Sequence, residues 1–366
     1  MTDDSVMVFL CGDVMLGRGV DQILPHPSDP ALRERRIRDA RTYVELAEAV
    51  NGPIPRPVDY AWPWGDALAL LDEAAPDVRV VNLENSITRC DRFTPGKGIH
   101  YRMDPANLPC LAAARPDACV LANNHVLDFE QRGLEDTLEA LAGAGLCAVG
   151  AGRSGAEAWR PAVIPLPEGG RLVVHAFGAA SSGIPASWAA SGRRAGVGFV
   201  PELADTAADD VVNRVQQHGG DVVVASVHWG SNWGYGVSEE QVRFAHRLVE
   251  GGVDVVHGHS SHHPRPIEVY RYKLILYGCG DFIDDYEGIP GHEEYRDDLR
   301  LAYLASVEPG SGRLMELRMV PLRARQLRLC HASRHDAAWL CTVLDHISGV
   351  FGHGIEVGPD GTLVLR

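Results

Sequence analysis

The 366-residue sequence has no apolar run of the roughly 18 residues needed to cross a bilayer as a helix, so no membrane span is expected. Its start, Met1-Thr2-Asp3-Asp4-Ser5, lacks the basic head and apolar stretch of a secretory signal. None of the eight cysteines lies in a Cys-x-x-Cys pair, and several sit inside apolar runs, so reduced thiols in the cytoplasm are the expectation. A basic excess is also missing. There are 34 Lys+Arg against 49 Asp+Glu, a net charge of −15. No nucleic-acid partner is expected, because binding a phosphate backbone needs a basic face. A small anionic substrate is compatible, since a local cationic pocket can hold one. Internal repeats and low-complexity tracts are absent, and nothing in the sequence sets an oligomeric state.

What is present is a 45% hydrophobic chain with short Val/Ile/Leu-rich runs between helical patterns. The expected strands are Val6–Leu10, Val78–Leu83, Ala118–Ala122, Leu146–Val149, Leu172–Phe177, Val222–Val227, Val253–Val256 and Leu274–Tyr277. Runs of four to six such residues suit strands buried on both faces. Helices are expected at Leu134–Ala142, Leu203–Gln217 and Ser238–Glu250, the last opened by a capping box, Ser238-Glu-Glu-Gln241. The alternation favours a layered α/β sheet. Residues 25–64 break it with seven prolines around one basic helical stretch, Leu32–Val50, and read as an insertion, either a lid or a surface excursion. Residues 181–200 read as a long loop. Residues 1–300 form one domain carrying that insertion; 301–366 add strands and a helix that complete or flank it.

The polar residues that follow the apolar runs carry the chemistry. These are Gly12-Asp13, Asn82-Leu83-Glu84-Asn85, Asn123-Asn124-His125 with Asp128, His228-Trp229-Gly230, His257-Gly258-His259-Ser260-Ser261-His262-His263, and Gly278-Cys279-Gly280-Asp281. The carboxyl ends of parallel strands open on one edge, where ligands bind. Singly, each has a plain reading: a turn at Gly12, a helix-start acid at Glu84, a core histidine at His228. Together they mix hard oxygens with imidazoles, which suits Zn, Mn, Fe or Ni better than an all-oxygen magnesium cage or a thiolate zinc site. The candidates outnumber what one tetrahedral ion needs, so two divalent ions are expected. Such a pair, about 3.5–4 Å apart, can bind substrate oxygens and acidify a water.

The order Gly12-Asp13-Val-Met-Leu-Gly-Arg18, Asn82-Leu-Glu84, Ala122-Asn-Asn-His125-Val-Leu-Asp128, Val227-His-Trp-Gly230, Gly258-His-x-x-His262 and Pro266-Ile-Glu268 resembles the poly-gamma-glutamate capsule-synthesis (CapA-like) family from about residue 7 to 285. That family is similar to the calcineurin-like metallophosphoesterases. The resemblance implies a four-layer α/β/β/α sandwich with a dinuclear metal centre. It implies Asp13, Glu84, Asn124, His228, His259 and His262 as metal ligands, Glu84 standing where the superfamily has a bridging Asp. It further implies His125, with Asp128, as general acid, and a metal-bridging hydroxide as nucleophile. Arg18, Arg102, Asn85, His257 and Asp281 become substrate-binding candidates. The sequence departs from the pattern in having Asp13-Val14-Met15 for Asp-x-His, Ser260-Ser261 inside the His-rich segment, Asp281 for an Asn, and no membrane anchor. The implied activity is phosphoester hydrolysis. The alternatives are a metal-dependent enzyme on a non-phosphate metabolite or a gamma-glutamyl or amide bond, and a non-catalytic accessory protein of capsular polyglutamate synthesis.

Overall fold

Period-two alternation divides every central strand between two cores. A computed structural model describes residues 5–366. Val8 and Leu10 enter one buried cluster and Phe9 and Cys11 another; Val78 and Val80 alternate likewise with Val81 and Leu83. In a second sheet Val222 and Val224 face the first cluster, while Val223, Ala225 and Val227 enter a third. The shared cluster lies between the two sheets. Each buried Val or Leu there contributes roughly 1.5–3 kcal/mol relative to exposure.

The larger sheet runs Ile355–Val357, Leu363–Leu365, Leu314–Ala324, Leu299–Val307, Val6–Val14, Val78–Leu83, Ala118–Val120, Ala148–Val149. Asp281–Ile283 lies parallel to the end of Val6–Val14, and Leu329–His331 pairs with Leu314–Ala324. The smaller sheet runs Phe199–Val200, Arg171–Ala179, Val222–His228, Val255–His259, Lys273–Leu276, Ile267–Tyr270, with Ala162–Pro165 beside Arg171–Ala179. Helices Arg41–Asn51, Asp66–Ala74 and Glu130–Gly143 bury Val44, Leu71 and Leu134 on the outer face of the large sheet. Helices Asp205–Gln217 and Glu239–Glu250 bury Val211 and Leu248 on the outer face of the small one. The layers are therefore α/β/β/α. Helix Arg334–Ser348 adds Leu340 and Leu344 to the core between the sheets.

The capping box forms as written: the Ser238 hydroxyl accepts from Gln241 N–H, and the Gln241 side chain accepts from Ser238 N–H. One helix is shorter than the sequence suggests. Of Leu32–Val50 only the part from Arg41 is helical. Before it, Leu32 N–H bonds to Arg38 O and Ala40 N–H to Pro30 O, closing a tight loop. Glu34 turns inward there to Arg18 and Tyr43, which an amphipathic helix in that register does not permit. The 25–64 segment packs as part of the outer layer, with Val44, Ala47 and Trp64 fully buried. Trp64 Nε1 donates to Cys110 O (2.8 Å).

Candidate metal centre

The two sheets present their polar strand ends to each other. Ser226 and His228 continue the inward face of Val222 and Val224, and His257 and His259 continue that of Val255. Parallel register sets Ser226 beside His257 and His228 beside His259. In the large sheet Asn82 continues the inward face of Val78 and Val80. Asp13 would fall on the opposite face by simple alternation from Leu10. A register shift between Leu10 and Asp13 places it next to Asn82 instead, and next to Asp281 on its other side. Bulges re-aim side chains in this way. Gly12 allows the tight crossing: a Cβ there would lie 1.5 Å from the Gly280 carbonyl oxygen, whose acceptor is used by Asp13 N–H (3.0 Å).

Two groups of potential ligands result. Asp13, His228 and His259 offer ligand atoms within 4.8 Å of one another; so do Asp13, His262 and Asp281. Asp13 belongs to both. His228 Nδ1 and His259 Nδ1 face each other at 2.7 Å, and Asp13 Oδ1 lies 3.9 Å from His259 Nδ1. Asp13 Oδ1 accepts from Asn82 Nδ2 (2.7 Å), and Asp281 Oδ1 meets His262 Nδ1 (2.9 Å). The second oxygens, Asp13 Oδ2 and Asp281 Oδ2, are buried with no hydrogen-bond partner. Buried carboxylate oxygens are costly when unpaired, so this donor set fits divalent cations.

The electrostatics agree. Burial, then the charge of Asp281, pushes the Asp13 carboxyl up to about 7. Burial and Asp13 raise Glu84. Burial holds His228 and His259 well below the usual imidazole range, which keeps them neutral, as ligands must be. For His262 burial pulls downward, but the carboxylates of Asp281, Asp13 and Asp284 together outweigh it and the net shift is upward.

Beside these groups lies a cavity of about 260 Å³, lined in part by Glu84, Lys97, Asn124, His125, Asn232 and His262. Asn124 Oδ1 meets His228 Nε2 at 3.1 Å, and Glu84 Oε1 lies 3.8 Å from both His125 Nε2 and His228 Nε2. His125 Nδ1 is 2.8 Å from Asp128 Oδ2, which also accepts from Tyr101 N–H (2.6 Å). Burial lowers His125 to about 4.

Asp13, Glu84, Asn124, His125, Asp128, His228, His259, His262 and Asp281 are thus brought together. Arg18, Arg102 and His257 are not at the cavity wall. Arg18 is buried in a bidentate bond to Asp285, with Glu34 and Tyr43 completing its shell. Arg102 donates to Cys90 O and Asp29 O. The Arg18 guanidinium is engaged by buried acids and that of Arg102 by two backbone carbonyls, and neither lines the cavity. His257 uses both ring nitrogens, Nε2 on Cys11 O (2.7 Å) and Nδ1 on Ser226 Oγ (3.0 Å), and ties the sheets together below the site. Asn85 Oδ1 accepts from Leu16 N–H, away from the cavity lining. Sequence reasoning passed over Lys97, Asn232 and Tyr286, which line the cavity from loops without hydrophobic periodicity. The flanking Gly96 and Gly98 were the one local sign at Lys97. No helix among the described residues is long and apolar enough to cross a membrane.

The chain is 54% identical over 363 residues to a probable polyglutamine synthesis accessory protein of Mycobacterium tuberculosis, covering 98% of this chain and 96% of that protein. It is 26% identical over 286 residues to the PGA biosynthesis protein CapA of Bacillus subtilis, covering 78% of this chain and 64% of that one. Among solved structures, a novel phosphatase of Mycoplasma pneumoniae aligns at a TM-score of 0.47 and 10% identity, over 88% of this chain and 95% of that chain. The model of the bacterial capsule synthesis protein PGA_cap matches residues 7–286, the segment that contains every residue of both ligand groups. The chain therefore belongs to the bacterial capsule synthesis protein (PGA_cap) family.

Proposed function

We propose that this chain is a dinuclear-metal-dependent hydrolase of a small phosphoester. The observation that carries the reading is the pair of ligand groups sharing Asp13, set beside a cavity that also holds the His125–Asp128 pair. Asp13, His228 and His259 would hold one ion, and Asp13, His262 and Asp281 the other. Glu84 and Asn124 stand at the cavity edge of the same cluster. Divalent ions bound there would supply Lewis acidity toward a substrate oxygen and a water. His125 Nε2 lies beside Glu84 at the cavity, where it can donate to a leaving oxygen, while Asp128 and the Tyr101 backbone fix the ring's other side. The cavity admits a phosphoryl group and the near part of its alcohol. With both arginines engaged elsewhere, Lys97 is the one Lys or Arg among its lining residues.

The test is hydrolysis of aryl phosphates and phosphodiesters by protein loaded with Mn, Fe, Zn or Ni. His125→Ala should lower kcat by about 10²–10⁴-fold, the usual contribution of a general acid. A metal-loaded protein inert across that panel overturns the reading. Gamma-glutamyl and other amide substrates belong in the same assay, because an identical metal pair can serve them.

A second reading, favoured by the name of the 54% identical mycobacterial relative, a probable polyglutamine synthesis accessory protein, is an accessory role in the synthesis of such a polymer. It expects no turnover of any of these substrates, but a change in polymer yield when the metal ligands are substituted in a producing cell.

A further inference from the structure

The carboxyl ends of the neighbouring parallel strands Arg171–Ala179 and Val222–His228 open on a second cavity, of about 400 Å³. It is lined in part by Ser181, Gly230, Ser231, Ser238, Glu240 and Gln241. The segment Gly230–Asn232 stands between it and the metal cavity: Gly230 and Ser231 line this one, Asn232 the other. Its walls hold unclaimed donors. Ser238 N–H takes the amide oxygen of Gln241 (3.2 Å), so the amide NH2 is the group turned toward Gly230. A Cβ on Gly230 would lie 3.0 Å from that nitrogen. Gln241 is 5% exposed, and its Nε2 has no hydrogen-bond partner among the described residues. The Ser181 oxygen accepts from Gly230 N–H (3.0 Å) and the Ser238 oxygen from Gln241 N–H (3.2 Å), which leaves both hydroxyl hydrogens to donate. Glu240 N–H, in the first turn of helix Glu239–Glu250, has no carbonyl of its own helix to reach.

Behind Gly230 lies a buried cation. Arg265 is 3% exposed, and its Nη1 would be 3.7 Å from the same Gly230 Cβ. Its guanidinium donates to Gly236 O (2.8 Å), Ser231 O (2.7 Å) and Ser231 Oγ (2.9 Å), all uncharged, and its Nε has no partner. No ion pair joins it to a carboxylate among the described residues. A buried guanidinium without a counter-charge is costly. The helix N-terminus adds positive potential on the same side. The carboxylates of Glu202 and Glu240 also line the cavity, but both residues are exposed and water and salt screen them. Arg265 is shielded from that screening. We propose that this cavity binds a small oxyanion, a carboxylate or a phosphate-type group, at a site separate from the metal centre. Gln241 Nε2, the Ser181 and Ser238 hydroxyls and the helix N-terminus hold the anion, and Arg265 balances its charge.

Titration calorimetry of the zinc-loaded protein with sulfate and with acetate, at constant ionic strength, tests this. Gln241→Glu is the informative variant. Its side chain can still accept from Ser238 N–H, as the capping box requires, but it sets a carboxylate where the anion would lie. At least one of the two anions should bind the wild type and lose about tenfold or more in affinity in Gln241→Glu, through like-charge repulsion, with zinc and helix content unchanged. Ser181→Ala should weaken the same anion by about 3–10-fold, the worth of one hydrogen bond. If Gln241→Glu does not fold, Ser181→Ala alone decides. Sulfate without acetate identifies a tetrahedral, phosphate-type ligand; acetate without sulfate identifies a carboxylate. Failure of both anions to bind overturns the proposal. So does binding that is equal in the wild type and the variants, which an anion held on the zinc ions alone would give. No arm needs turnover, so a protein inert to phosphoesters that shows the expected binding loses the hydrolase reading and keeps this site.

Discussion

Asp13 concentrates the chemistry of the site in one side chain. It offers an atom to both ligand groups, so Asp13→Asn should lose both ions and not one. Metal analysis of the purified variant reads this directly. The Asp13 carboxyl, pushed up to about 7 by burial and by Asp281, also makes protons compete with metal. Affinity should fall as pH drops through 7 and recover above it, as competition with a chelator at pH 6 and pH 8 would measure. His257 behaves differently. Burial lowers it to about 4 while its nitrogens bridge the two sheets. A lowered imidazole contributes stability that is present above about pH 6.5, its unfolded value, and is lost as pH falls toward 4. His257→Ala should cost about 2–3 kcal/mol at pH 7, the penalty for stranding buried partners. Denaturant melts should show a shallower acid slope for the variant, and its metal content should stay normal.

Among the elements, the 25–64 segment is held by a buried ion cluster. Arg18 binds Asp285 and Glu34 with about 3% of its own surface exposed. Removing one member leaves buried charge uncompensated, so Arg18→Met should cost about 3–5 kcal/mol. If Arg18 has no substrate role, KM should not change; a large rise in KM would restore it as an anion-binding residue. These elements also show where sequence reasoning reaches its limit. Strand cores such as Val78–Leu83 and Val222–His228 were legible because burial on both faces makes them rich in Val and Leu, with polar residues confined to a few positions. The convergence of Asp13, His228 and His262 was legible because parallel strands end on one edge. The fate of Arg18 was not. A guanidinium beside Gly17 and Gly19 looks the same in sequence whether it meets a substrate or Asp285, which lies 267 positions away. Lys97 was missed for a similar reason: its partners, His125 and Asp128, lie across a loop with no periodic signal.

At the scale of the whole molecule, metal and fold are linked. Ions that bind only the folded chain stabilise it in proportion to the logarithm of their concentration over Kd. At about a hundredfold excess over Kd that is about 2.7 kcal/mol per ion, or roughly 3–4 °C in Tm for a chain of this size. Stripping with a chelator should lower Tm by that amount, and scanning calorimetry with and without added ions checks it. Asp13→Asn should show no such dependence. The same linkage reaches the far end of the chain, because Val6–Val14 is flanked by Val78–Leu83 on one side and by Leu299–Val307 on the other. The strand that delivers Asp13 thus waits for a neighbour encoded some 290 codons later. On the ribosome the nascent amino terminus must stay unpaired along that edge until residues 299–307 have emerged, and premature termination before residue 299 would leave a fragment with an open strand edge prone to stick to other chains.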